Sequence, residues 1–110
     1  MSEALLILTN LPDAASAQAL AQQLVERKLA ACVNIMPAVQ SVYRWQGAVE
    51  QASEVTVLIK SVSSRYAELE SAIRALHPHE LPEIIALPIV AGLPAYLSWI
   101  TAETQKDVNV

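Results

Sequence analysis

Two periods of apolar residues alternate along this chain, and together they predict its elements. Residues 4–8 form a short continuous apolar run, extended by Thr9, Asn10 and Leu11, which reads as a buried central strand ended by Pro12 and Asp13. Asp13 is placed to cap the helix that follows. In that helix Ala17, Leu20, Ala21, Leu24 and Val25 recur at helical spacing to about Lys28. Residues 31–45 and 48–60 switch to period two and are rich in Val, Ile, Thr, Tyr and Trp, so they read as the arms of one long β-hairpin. Gln46 and Gly47 supply its two-residue turn, since Gly takes a positive φ at no steric cost. A polar break follows at residues 61–64, with Ser63 or Ser64 as the N-cap of a second helix. Tyr66, Leu69, Ile73 and Leu76 mark one face of that helix, and His77 before Pro78 stops it. Residues 83–90 read as a fourth strand, bent or at an edge near Pro88. Gly92 then breaks the chain, and Pro94 opens a short third helix carrying Tyr96, Leu97, Trp99 and Ile100. Residues 105–110 are expected to fray.

The order βαββαβ plus a C-terminal helix is the ferredoxin-like α+β arrangement, as one domain over residues 1–110. Its two main helices cover one face of a four-stranded sheet, and a short third helix is too small to cover the other. The hairpin carries its own register problem. With Trp45 opposite Ala48, strict pairing sets Ile35 opposite Leu58 and Val33 opposite Lys60, which sends the apolar residues of the two arms to different faces. A bulge repairs this, and Pro37, which has no N–H for the ladder, is the expected place. An arm of about 14 residues spans roughly 45 Å, whereas a compact domain of this size is roughly 34 Å across. The tip therefore projects. A two-stranded ribbon carrying Val42, Tyr43, Trp45 and Val49 is marginal alone in water, so the chain is expected to be an obligate oligomer whose hairpins are clasped by neighbouring subunits.

Composition points the same way. The chain is 54% apolar and only 16% charged, with a mean hydropathy of +0.35; soluble domains usually carry about 25% charged residues. No apolar run approaches the ~18 residues of a spanning helix, so the excess is expected to lie in an interface rather than a membrane. A net charge of −4 with no basic run argues against nucleic acid as a partner. The N-terminus lacks the pattern of a signal peptide, and the single cysteine, Cys32, suits a reducing cytoplasm. With two glycines there is no phosphate loop, and neither a nucleophile elbow nor an HExxH motif is present, so an enzyme is not expected.

Particular residues add a family. Leu29 to Asn34, Ser41 to Gly47 with its Tyr43-Arg44-Trp45, Ile59-Lys60, His77-Pro78 with Leu81 to Ile85, and Tyr96 to Trp99 together resemble the CutA divalent-cation-tolerance family over nearly the whole chain. The resemblance implies a homotrimer of ferredoxin-like subunits with interlocked hairpins, and a role in metal tolerance with copper, or another divalent cation, as the ion bound. The copper site proposed for that family uses a first-strand cysteine and two adjacent histidines ending the second helix. Here those positions hold Thr9 and the pair Leu76-His77, and Cys32 matches a different family cysteine.

Two sets of residues are candidates for chemistry. His77 and His79, with Glu80 and Glu83 close by and Cys32 from the second strand, offer imidazole, carboxylate and thiolate donors suited to zinc or copper. Against this, His77-Pro78 also serves as a helix stop, and a lone Cys is commonly a small buried apolar residue. Tyr43, Trp45, Lys60 and Glu83 form the second set: if hairpins interlock, they would wall an inter-subunit ligand cleft. The plainer account makes the aromatics interface anchors and Lys60 with Glu83 an ion pair on adjacent strands. The functional expectations are thus a cytoplasmic trimer that binds divalent metal, a small-molecule sensor resembling the trimeric PII proteins in fold alone, or a trimeric scaffold for a partner protein.

Overall fold

The protein is described by a computed structural model over residues 3–106. The elements run β1 (Ala4–Leu11), α1 (Ala14–Glu26), β2 (Cys32–Trp45), β3 (Ala48–Val62), α2 (Tyr66–Leu76), β4 (Ile84–Pro88) and α3 (Pro94–Glu103). The strands make one antiparallel sheet in the order β2-β3-β1-β4. This is the ferredoxin-like topology expected from the pattern.

One face of the sheet is the core. Leu5, Ile7, Thr9 and Leu11 of β1 alternate inward with Val57, Ile59 and Ser61 of β3, and α1 and α2 cover them with Ala17, Leu20, Leu24, Leu69, Ala72 and Ile73. The Asp13 carboxylate accepts from the Ser16 backbone N–H at 2.7 Å, as expected of the cap, and this bond holds the carboxyl below its usual pKa. α1 stops two residues before Lys28, which takes a left-handed φ of 58° and lets Leu29 and Ala30 both donate to the Leu24 carbonyl. Arg65 is buried against this end. Its guanidinium donates to the carbonyls of Arg27 and Lys28, a cation at the negative pole of α1.

The hairpin behaves as its sequence requires. Gln46 and Gly47 both have positive φ, 50° and 82°, which is the turn that matches strand twist. Trp45 pairs with Ala48, and the ladder continues to Val39 opposite Glu54. It then shifts by one residue between Met36 and Val39, so that Pro37 and Ala38 face a single residue and Ile35 meets Val57. The molecule is elongated, 49 Å along its longest axis with a radius of gyration of 14.7 Å, because the hairpin extends beyond the helices.

The opposite face of the sheet is bare in part. Leu6, Leu8 and Leu58 are half-buried there, while Met36, Ile85 and Leu87 are between 42% and 49% exposed. α3 crosses only one end of it, packing Ile100 and Leu97 on Val62 and Ala31. Tyr96 and Trp99, stacked at 5.5 Å, remain partly exposed on α3.

Several local expectations need correction. β3 runs two residues further than expected, to Val62, and β4 is confined to residues 84–88. Neither serine provides a side-chain N-cap to α2: a 3₁₀ turn over Ser63–Arg65 leads into it, and the Ser63 hydroxyl accepts from Glu3 N–H instead. Leu76 is not on the buried face of α2 but exposed, since the helix ends at that residue and the chain turns away. Of the tail expected to fray, Lys106 forms an ion pair with Glu68 at 3.4 Å, and residues 107–110 lie outside the described residues.

One core atom is out of place. The Thr9 hydroxyl is fully buried with no hydrogen-bond partner among the described residues. An unpaired buried hydroxyl costs roughly 1–3 kcal/mol, and Val has nearly the same shape without it. Thr9→Val should therefore raise stability by about 1 kcal/mol, read as a higher denaturant midpoint at unchanged slope.

Candidate functional site

The hairpin and the loop after α2 enclose a groove of about 820 Å³. One wall is the outer half of β2, residues 41–45, and the other is residues 78–83, with Asn10 and Glu54 at the base. The pairing of β2 with β3 sets which side chains it sees. Directly opposed residues share a face, so Ser41, Tyr43 and Trp45 stand on the same side of the ribbon as Glu54 and Thr56.

His77 fixes the second wall. As the C-cap of α2 its backbone N–H still donates to Ile73 O at 2.8 Å, and Pro78 then forces extended backbone, ψ 134°. The ring turns inward and is buried. Its Nε2 lies 2.6 Å from the Asn10 carbonyl, and its Nδ1 lies 3.1 Å from the His79 backbone nitrogen. A carbonyl only accepts and an N–H only donates, so the ring is held as the neutral tautomer protonated on Nε2. Both nitrogens are thereby occupied, and His77 cannot ligate an ion without losing one of these bonds. The His79 ring packs on it at 4.9 Å between centroids and stays exposed at the groove.

Asn10 is the junction that the sequence reading missed. Its Oδ1 accepts from the Thr56 hydroxyl at 2.7 Å, its Nδ2 donates to Glu83 Oε1 at 3.3 Å, and its carbonyl takes the His77 ring. Three elements, β1, β3 and the loop before β4, thus meet on one side chain and its peptide. The available signal was a lone amide inside an otherwise apolar strand run, a polar group that burial obliges to find partners.

The predicted residues separate into two regions. Tyr43, Trp45, Glu83 and His79, with Glu80, all line the groove of a single chain. Cys32 and Lys60 do not. They are paired with each other at the far end of the sheet, where Lys60 lies beside Leu6, four residues before Asn10 and so about 13 Å from it along β1. There Lys60 Nζ bonds the Asn34 Oδ1 and lies 3.9 Å from Cys32 Sγ. Tyr96 of α3 completes that group; partial desolvation, then the Cys32 thiol, raise its phenol above the ordinary value. The expectation of Lys60 and Glu83 as an ion pair on adjacent strands is incorrect, because β1 lies between β3 and β4 and Glu83 bonds Asn10 instead. Among the described residues no group of three or more His, Cys, Asp or Glu side chains is gathered as an ion site within one chain. Cys32 is too far from the histidines to join them there.

An α+β ferredoxin-like chain with an overlong β2–β3 hairpin, a partly bare sheet face and a groove under the hairpin defines the class. The family follows from comparison with known proteins: residues 5–103 match the model of the CutA1 divalent ion tolerance protein, so the chain belongs to the CutA1 family. It is 43% identical over 98 residues to the divalent-cation tolerance protein CutA of Thermus thermophilus, a match covering 89% of this chain and 95% of that one. It is 42% identical to the mouse protein CutA over 89% of this chain, spanning 55% of the mouse protein. The solved structure of the Thermus thermophilus divalent cation tolerance protein superposes with a TM-score of 0.91 at 41% identity, covering 93% of this chain and 99% of that one.

The His77 geometry makes a testable distinction between the two histidines. His77→Ala removes the ring that bonds the partly buried Asn10 carbonyl and the His79 N–H, and should cost about 1–2 kcal/mol. His79→Ala removes an exposed ring and should cost under about 0.5 kcal/mol. Denaturant unfolding of the two variants checks this; equal losses would show that the His77 bonds do not hold the loop.

Proposed function

We propose that the chain acts as a cytoplasmic homotrimer in divalent-cation tolerance and that it binds the cation, copper or another divalent ion, directly. Membership of the CutA1 family supports the tolerance role. The trimer is supported by the bare apolar strip of Met36, Ile85 and Leu87 and by a hairpin too long for its own domain. The single cysteine and the acidic, low-charge composition are consistent with a reducing cytoplasm. Light scattering should give a mass near three times the 11.9 kDa chain, persisting until unfolding. A folded monomer at micromolar concentration would refute the assembly.

The observation that carries the metal reading is that His79 and Glu83, with Glu80, share one groove in a chain of this family. His77 is engaged elsewhere and Cys32 is distant, so a single chain does not hold a full donor set. On this reading water or a neighbouring subunit completes the coordination, and the ion is cargo rather than a structural element. Calorimetric titration with copper or zinc should show binding that weakens at least about tenfold in His79→Ala. Undiminished binding in His79→Ala removes this site, and no binding in the wild type removes direct metal binding from the function.

A second reading is favoured by one observation. The groove has the volume of a small-molecule site and aromatic walls that a bare ion does not use. On that reading the protein is a small-molecule sensor, resembling the PII proteins in fold only, rather than a scaffold for a partner protein.

A further inference from the structure

We propose that Lys60 of one chain pairs with Glu54 of its neighbour, so that the two ends of the bare sheet face join copies of this chain head to tail. This rests on the assembly put forward above and names the contact that sets its register.

On the bare face, β3 presents Glu54, Thr56, Leu58 and Lys60, every second position along one strand. An acid stands at one end, a base at the other, and an apolar residue lies between them. Six residues of extended strand separate the two charges by roughly 20 Å, so they cannot meet within one chain. Both side chains are already half-buried. Lys60 stands beside Leu6, which in turn stands beside Leu87. Its ammonium bonds Asn34 Oδ1 and lies 3.9 Å from Cys32 Sγ. Glu54 sits next to the bulge, opposite Val39. Among the described residues neither Lys60 nor Glu54 makes an ion pair.

Burial and charge together select the occupant of this face. Covering Leu6, Leu58, Ile85 and Leu87 takes Lys60 out of water, and a buried ammonium without a counter-charge is strongly destabilising. The same holds for Glu54 at the other end. A second copy laid head to tail satisfies both, because the acid end of each chain meets the base end of the next. Contacts of this heterologous kind close into a ring. A foreign partner needs the complementary charges at the same spacing, whereas this chain carries them already. Glu80 and Glu83, the other carboxylates near Glu54, are exposed, and Glu83 is held by the Asn10 amide. Neither requires a counter-charge from a neighbour.

The test is a double-mutant cycle on the intact protein, read as the thermal midpoint of the assembly with its mass followed by light scattering. Lys60→Met and Glu54→Gln nearly keep side-chain length and add no charge. Each should lower the midpoint by at least about 5 °C, and the double variant should fall no further than the worse single one. Sites roughly 20 Å apart in one chain ordinarily add, so this coupling reports contact between chains. Lys60→Met combined with Glu83→Gln is the comparison, and its losses should add. Additive losses for Lys60 and Glu54 in a protein that still assembles would overturn the pair and leave the assembly standing. Coupling of Lys60 to Glu83 instead would overturn the assignment of Glu54. A wild type that is a folded monomer at micromolar concentration would remove both the pair and the assembly.

Discussion

The one-residue slip at Pro37 and Ala38 is the constraint on which this structure depends. A two-residue turn sets Trp45 opposite Ala48, and from there every pair in the ladder is determined until the bulge intervenes. Without it Ile35 would oppose Leu58, and Val33 and Ile35 would turn away from the helices toward the bare face. With it, the inner half of β2 sends its odd-numbered residues to the core while the outer half sends Ser41, Tyr43 and Trp45 to the groove face. One inserted residue lets a single strand serve the hydrophobic core and the candidate site at once.

The groove depends on a second joint, between Asn10 and His77. His77 ends α2 because Pro78 follows it, yet its ring is used as a bolt, tying the loop to the carbonyl of a central strand. Asn10 turns that attachment into an oriented carboxylate by linking Thr56 to Glu83. Backbone placement, tautomer and acid orientation are coupled within a few residues. A histidine that looked like a donor is consumed in building the wall on which His79 and Glu83 stand.

Much of the fold was legible in the chain. Helical spacing marked α1 and α2, the alternation and Gln46-Gly47 marked the hairpin, and Pro37 marked the bulge, since each follows from local geometry and a one-residue clash is visible on paper. The candidate site was legible only in part. Tyr43, Trp45, His79 and Glu83 were singled out in two separate sets, and the structure brings them to one groove of a single chain, whereas Tyr43, Trp45 and Glu83 had been expected to meet between subunits. Lys60 and Cys32 were drawn into the same sets by residue type alone, whereas strand order puts them at the other end of the sheet.

The sequence by itself determined the elements, the turn, the bulge and the excess of apolar surface, because propensity and period act through neighbours a few residues apart. Only the tertiary structure decided that β1 separates Lys60 from Glu83, that Asn10 is a junction, and that both nitrogens of His77 are taken. Apart from the His77 Nδ1 bond to His79, two residues on, those outcomes turn on strand order and on contacts 46 to 73 residues apart along the chain. Hydrogen-bond partners at such separations are selected by strand order and by the demand that each buried polar group be satisfied, and neither leaves a periodic trace in the sequence.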